Sequence, residues 1–84
     1  MELHERIEKI RSKADLADFV SALKVDLEAD PAGWENPTLV LFLDAMGRWI
    51  REMDNVYQNT GQPPVKEPTW QTLADILLAS KMHA

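Results

Sequence analysis

The stretch 36-NPTLVLFLDAMGRWIREMDNVY-57 decides the fold class of this chain. Asn36 is a residue type preferred as a helix N-cap, and Pro37 fits the first helical position. Beyond them, large apolar residues recur at the i, i+3, i+4, i+7 spacing of an amphipathic helix. We therefore predict a helix over about residues 37–57 and expect it to organise the hydrophobic core.

Two further helices are predicted before this stretch. Apolar residues lie at helical spacing in residues 2–11 and again in residues 13–29. At 100° per residue the two apolar stripes point roughly 150° apart, so one straight helix cannot bury both against the same core. Ser12 is a preferred N-cap residue, with Asp15 three positions later, and is predicted to start the second of these helices.

A fourth helix is predicted over about residues 68–81. Residues 58–67 contain Gly61 and two prolines and cannot continue the long helix, so they are interpreted as a linker. Either Glu67 or Thr69 is expected to cap the last helix. Its apolar residues cover more than half of its circumference, which predicts that it lies between other helices or packs partly against another chain.

Together these elements predict a small all-α protein, a single-domain four-helix bundle over residues 1–84. The length of 84 residues is below the common domain size of roughly 100 to 150, so a second core is not expected. A hydrophobic content of 45% and a charged content of 27% are typical of a folded chain rather than a disordered one.

The composition argues against several classes of function. A net charge of −5 has the wrong sign for neutralising phosphates, so binding to nucleic acid or to an anionic membrane is not expected. The absence of cysteine leaves no disulfide framework and no thiolate metal site. No stretch reaches the ~20 apolar residues of a membrane span, and the N-terminus has no signal-peptide pattern. A cytoplasmic protein is therefore expected.

No catalytic pattern emerges from the sequence. His4 and His83 lie near opposite termini and are expected to be solvent-exposed. The chain has no glycine-rich phosphate loop and no serine in a nucleophile elbow. Charged residues such as Asp26, Asp75 and Lys81 are interpreted as solubility charges on solvated helix faces. We therefore expect no enzymatic activity, cofactor or metal.

Polar residues gather at the end of the long helix, and the need to cap that helix explains only some of them. They either fix the linker, which is the favoured interpretation, or bind a partner. Trp34, in the turn before the helix, either plugs the end of the bundle or is an exposed aromatic anchor of the kind enriched in interface hot spots. The candidate partner-binding residues are Trp34, Glu35, Glu52, Asp54, Asn55, Tyr57 and Asn59.

Val40 and Leu41 fall outside the main apolar stripe of the long helix. Either the first helix covers them, or they form a contact between two copies of the chain.

The order of motifs along the chain resembles a known family. The motifs are WENPTL at 34–39, FLDAM at 42–46, WI at 49–50, MD at 53–54, YQNTG at 57–61, PTW at 68–70 and LADILLA at 73–79. They resemble a domain-of-unknown-function family of small bacterial all-helical proteins. The resemblance implies a free-standing bacterial cytoplasmic protein and carries no assigned activity, cofactor or catalytic residue.

These observations favour a protein-binding module, of an immunity or regulatory type, that binds another protein. The link to immunity proteins is an analogy of size and acidic charge. The alternative is a stand-alone structural protein that forms homo-oligomers, such as a homodimer, through Val40, Leu41 and the last helix. An enzyme with Asp54 and Tyr57 in its site is the least favoured hypothesis.

Overall fold

The computed structural model describes residues 2–63, 65 and 67–83. Outside the described residues lie Met1, Pro64, Lys66 and Ala84, two of which belong to the predicted linker. The described part of the chain contains no β-strand and four α-helices: α1 (Leu3–Ile7), α2 (Lys13–Ala29), α3 (Leu39–Asn59) and α4 (Trp70–Met82). One turn of 3₁₀ helix, Pro31–Gly33, follows α2. The all-helical class and the number of helices are as predicted.

The predicted break at Ser12 is confirmed. Ser12 has an extended backbone, and its hydroxyl oxygen accepts a hydrogen bond from the Asp15 N–H at 3.1 Å. The Asp15 carboxylate in turn accepts from the backbone N–H of Arg11 at 2.8 Å, one residue before the cap. The capping interaction is therefore reciprocal, but its second bond is shifted from the usual position.

α1 is shorter than predicted and ends at Ile7 instead of residue 11. Its end tightens into i to i+3 bonds, from Lys9 N–H to the Arg6 carbonyl and from Ile10 N–H to the Ile7 carbonyl, both at 3.1 Å. Ile10 is buried in this turn, and the chain then continues to Ser12, whose backbone is extended. The helix stops early because an N-cap residue needs non-helical backbone angles.

α3 begins at Leu39, with Thr38 as its N-cap. The Thr38 hydroxyl oxygen accepts from the Leu41 N–H at 3.2 Å. The prediction that Asn36 caps this helix is therefore wrong. The prediction fails because the Asn36 side chain instead binds to the end of another helix, which is remote in sequence.

Asn36 closes the C-terminal end of α4. Its buried side-chain amide donates to the backbone carbonyls of Ser80 and His83, at 3.0 and 2.7 Å. Its backbone N–H donates to the Lys81 carbonyl at 3.1 Å. The last carbonyls of a helix have no partners within the helix, and here one asparagine supplies three donors to them.

The N-terminal end of α4 is capped by residues next to it in the sequence. Thr69 accepts from the Thr72 N–H at 3.1 Å, and the Thr72 hydroxyl accepts from the Thr69 N–H at 3.1 Å. This reciprocal pair is a capping box. Of the two predicted caps, Thr69 is the one used.

α4 is the centre of the fold. Among the described helices it contacts the other three, whereas α3 contacts α4 but neither α1 nor α2. A buried cluster joins α1, the turn after it, α2 and α4: Ile7, Ile10, Phe19 and Ala74, surrounded by Leu3, Leu16, Leu77 and Leu78. The prediction that the long helix organises the core is wrong. A helix with one apolar stripe buries one side, whereas α4 is apolar around most of its circumference and is covered from several sides.

Candidate partner-binding and ligand-binding surfaces

Trp34 is buried, with 6% of its surface exposed. Its ring stacks on that of Phe42 with the centroids 6.0 Å apart, and its indole N–H donates to Asp26 Oδ2 at 2.8 Å. Of the two roles predicted for Trp34, the structure shows the plug rather than the exposed anchor.

Asp26 also binds Lys81, whose Nζ lies 2.8 Å from the same carboxylate oxygen. Lys81 sits 5.5 Å from the centroid of the Trp34 ring, within range of a cation–π contact. The hydrogen bond from Lys81, followed by that from Trp34, lowers the pKa of Asp26. The interpretation of Asp26 and Lys81 as solubility charges is wrong, because the fold joins residues 55 positions apart.

The polar residues at the end of α3 do not converge on one site. Asp54 Oδ1 accepts from the Val65 N–H at 3.3 Å and so holds the linker. Glu52 Oε2 lies 3.2 Å from Nε2 of His83, on the side of α3 that meets the end of α4. Of the other candidates, Tyr57 is partly buried, and three are solvent-exposed: Glu35, Asn55 and Asn59.

Val40 and Leu41 are exposed, at 77% and 45% of their surface. α1 contacts α2 and α4 and does not cover them. The structure therefore removes one of the two predicted explanations for these residues.

An apolar groove opens between α2 and the beginning of α3. In the described part of the chain the backbones of these two helices do not approach each other, and Leu77 of α4 contributes to the lining between them. The cavity measures about 300 Å³. We call it the α2–α3 groove, and its apolar lining is Val20, Leu23, Leu27, Trp34, Pro37, Leu39, Phe42 and Leu77.

The wall of the groove continues along α3 as an exposed apolar stripe. Leu39, Leu43 and Ile50 are 71%, 53% and 48% exposed. At 100° per residue these three side chains lie within about 40° of one another around the helix axis. Across the groove, Val20 of α2 is 44% exposed. The groove and this stripe together form one contiguous apolar face on the described helices.

A second cavity, of about 330 Å³, lies between α3 and α4 on the side of Trp49. We call it the α3–α4 pocket; it is lined by Trp49, Tyr57, Gln62, Asp75, Leu78 and Ala79. The rings of Trp49 and Tyr57 are nearly perpendicular, at 82°, with centroids 6.4 Å apart. The His83 ring packs on Trp49 with its centroid 5.7 Å away, so the prediction of a solvent-exposed His83 is wrong. The prediction fails because the fold brings His83 against Trp49, which lies far from it in the sequence.

Asp75 supplies the charge of this pocket. Burial raises the pKa of Asp75. Burial also raises the pKa of Tyr57, and the carboxylates of Asp75 and Asp54 raise it further. Asp75 is therefore not a simple solubility charge. A signal for this existed in the sequence, because Asp75 is the one charged residue in the otherwise uncharged stretch 70–80.

Within residues 2–63, 65 and 67–83, no group of three or more His, Cys, Asp or Glu side chains is placed to hold a metal ion. None of the helices in these ranges combines the length and apolar character that a membrane crossing needs.

Comparison with known proteins gives one match. A family model described as a family of unknown function, DUF7660, matches residues 12–84. The match starts at the N-cap of α2 and includes every residue that lines the α2–α3 groove and the α3–α4 pocket. No curated protein and no solved structure matches the chain. The chain therefore belongs to the DUF7660 family, whose function is unknown.

Proposed function

We propose that the protein is a protein-binding module whose α2–α3 groove receives the apolar face of an amphipathic helix that carries basic residues. The observation that carries this proposal is the groove itself, with the exposed stripe that extends it along α3. Single exposed apolar side chains are ordinary on protein surfaces, whereas contiguous ones mark interaction sites.

The dimensions of the stripe suit a helical partner. From Leu39 to Ile50 the stripe extends over about 16 Å, or three turns, at ~1.5 Å per residue. An amphipathic helix docks by placing its i, i+3, i+4 and i+7 side chains in such a groove. The matching segment of a partner is therefore about three turns long.

The charge of the chain favours a basic partner. A net charge of −5 attracts a positively charged segment and repels a second copy of the same chain. The charged residue that lines the groove, Lys24, is paired with Glu28 at 3.5 Å. A module of this kind acts by covering a surface of its partner, as an immunity protein or a regulator does, and needs no catalytic group. The setting that we propose for this module is the bacterial cytoplasm.

The proposal is tested with Leu39→Glu, which places a charge on the groove wall. The matched control is Val25→Glu, because Val25 is on α2, is 60% exposed and does not line the groove. Both variants add one negative charge, so general attraction to a basic peptide increases equally in the two. The probe is a designed three-turn Leu/Lys amphipathic peptide, compared with a scrambled peptide of the same composition by isothermal titration calorimetry.

We expect the amphipathic peptide to bind the unmodified protein and Val25→Glu alike, and to bind Leu39→Glu at least about tenfold more weakly. The scrambled peptide should bind weakly to all three proteins. Equal binding of the amphipathic peptide to both variants, or equal binding of both peptides, would show that the groove is not the docking site.

The exposure of Val40 supports a second candidate function, a homo-oligomer formed through Val40 and Leu41. Sedimentation equilibrium at high micromolar concentration tests this function separately. A dimer that Val40→Glu dissociates, and that Val25→Glu leaves intact, would support it. A monomer at these concentrations would exclude it.

A further inference from the structure

We propose that the α3–α4 pocket binds an alkylammonium group, a primary or methylated amine on a short alkyl chain. A lysine side chain and a free aliphatic amine both offer this chemistry. The pocket shares no lining residue with the α2–α3 groove, so the inference does not depend on the proposed function.

The aromatic walls of the pocket suit a cation. Trp49 and Tyr57 stand at 82° to each other with centroids 6.4 Å apart, so their rings form two adjacent walls of one cavity. A cation is attracted to the face of an aromatic ring within about 6 Å of its centroid. Leu78 and Ala79 provide apolar contact for the alkyl chain, and Gln62 and Asp75 complete the lining.

Asp75 provides the opposite charge. Among the described residues none forms a salt bridge with Asp75, in contrast to Asp26, which Lys81 approaches to 2.8 Å. Burial without a counter-ion disfavours the ionised carboxylate and accounts for its raised pKa. A cation in the pocket would remove this penalty.

The charges that act on Tyr57 have the same sign. Like Asp75, the Asp54 carboxylate raises the pKa of Tyr57. Glu52 contacts His83, whose ring packs on Trp49. An anion is therefore repelled from the pocket by carboxylates on both α3 and α4. A neutral apolar ligand would leave Asp75 without a partner.

The inference is tested by ¹H–¹⁵N NMR of the tryptophan indole N–H groups. One probe is n-butylamine, which represents a free amine, and the other is N-acetyl-lysine methylamide, which represents a lysine in a peptide. N-acetyl-norleucine methylamide is the uncharged control. We expect both amines to shift the Trp49 signal in a saturable manner while that of Trp34 stays in place, and the tighter of the two identifies the source of the ligand.

Asp75→Asn removes the charge of the pocket and should weaken amine binding at least about tenfold. The matched control is Asp44→Asn, because Asp44 is exposed on α3, pairs with Arg48 and does not line the pocket. Tyr57→Leu is a second variant that removes one aromatic wall, and it should also weaken binding. Equal affinities of Asp75→Asn and Asp44→Asn, binding of the norleucine compound as tight as that of lysine, or no saturable shift with either amine would overturn the proposal.

Discussion

The two sides of α4 are built on different principles. Towards α1 and α2, α4 closes an apolar cluster in which Phe19 is 1% exposed and Ala74 is fully buried. Towards α3 it meets aromatic and polar side chains, a cavity and the half-buried Asp75. Stability alone favours the first arrangement, because unpaired buried polar groups cost free energy. The difference suggests that one side of α4 holds the fold together and that the other is kept for binding.

The largest effect should come from the apolar side. Phe19→Ala leaves a cavity in the main cluster and is expected to lower the free energy of unfolding by about 3–5 kcal/mol. This is a large part of the roughly 5–15 kcal/mol that typically stabilises a small domain. Tyr57→Ala, on the other side of α4, should cost less than half as much. Urea unfolding followed by circular dichroism measures the loss of stability in both variants. Equal losses would show that the two sides of α4 contribute equally to stability.

Asn36→Ala tests how much the capping of the C-terminal end of α4 contributes to stability. Its loss leaves the carbonyls of Ser80 and His83 without donors, so we expect a cost of about 2–3 kcal/mol. Amide hydrogen exchange in the last turn of α4 should accelerate more than exchange in α2. Asn59→Ala, at an exposed position, is the control and should change little. Uniform acceleration in α2 and α4 would mean that Asn36 stabilises the whole fold rather than one helix end.

The contribution of Asp26 to the free energy of unfolding should depend on pH. Because the pKa of Asp26 is lowered below its ordinary value of 3.8 in the folded protein, its contribution is present above that value and is lost as the pH falls through the folded pKa. Asp26→Asn should cost about 1 kcal/mol at pH 7, a modest effect because the side chain is 36% exposed. Urea midpoints measured from pH 7 to pH 2 should decrease less in the variant. Identical decreases in both proteins would contradict this role.

Asp75 should have the smallest effect and the opposite sign. Its folded pKa is raised above 3.8, so the penalty of burial is absent below that value and appears as the pH rises through the folded pKa. Asp75→Asn is therefore expected to raise the free energy of unfolding at pH 7 by less than about 1 kcal/mol. The gain should vanish in urea titrations below pH 3.8. A loss of stability at pH 7 would show that the carboxylate has a stabilising partner.

The features that could be predicted from the sequence are the local ones. The span of α2 over residues 13–29 and its start at Ser12 follow from periodicity and capping chemistry within a few residues. The start of α3 was not predictable in this way, because Asn36 bonds to carbonyls 44 and 47 positions away. The central place of α4 likewise depends on which helices cover it.

The candidate surfaces were less predictable than the helices. Periodicity on α3 marks Leu39, Leu43 and Ile50 as apolar but does not show that part of this stripe remains uncovered. The groove exists because α2 and α3 stand apart over α4, and spacing along the chain does not reveal such a gap. For the α3–α4 pocket the sequence offers one clue, the isolated charge of Asp75 in an uncharged stretch.

The central place of α4 has a consequence for the order of folding during synthesis. Of the four helices, α4 is the last to leave the ribosome, yet it supplies Ala74 to the main cluster and the surface against which α3 packs. A nascent chain that has emerged only as far as Asn59 has α1 and α2 in contact but no support for α3. The face of α3 that packs against α4 in the finished fold then stays uncovered until the 23 residues from Thr60 to Met82 have also emerged.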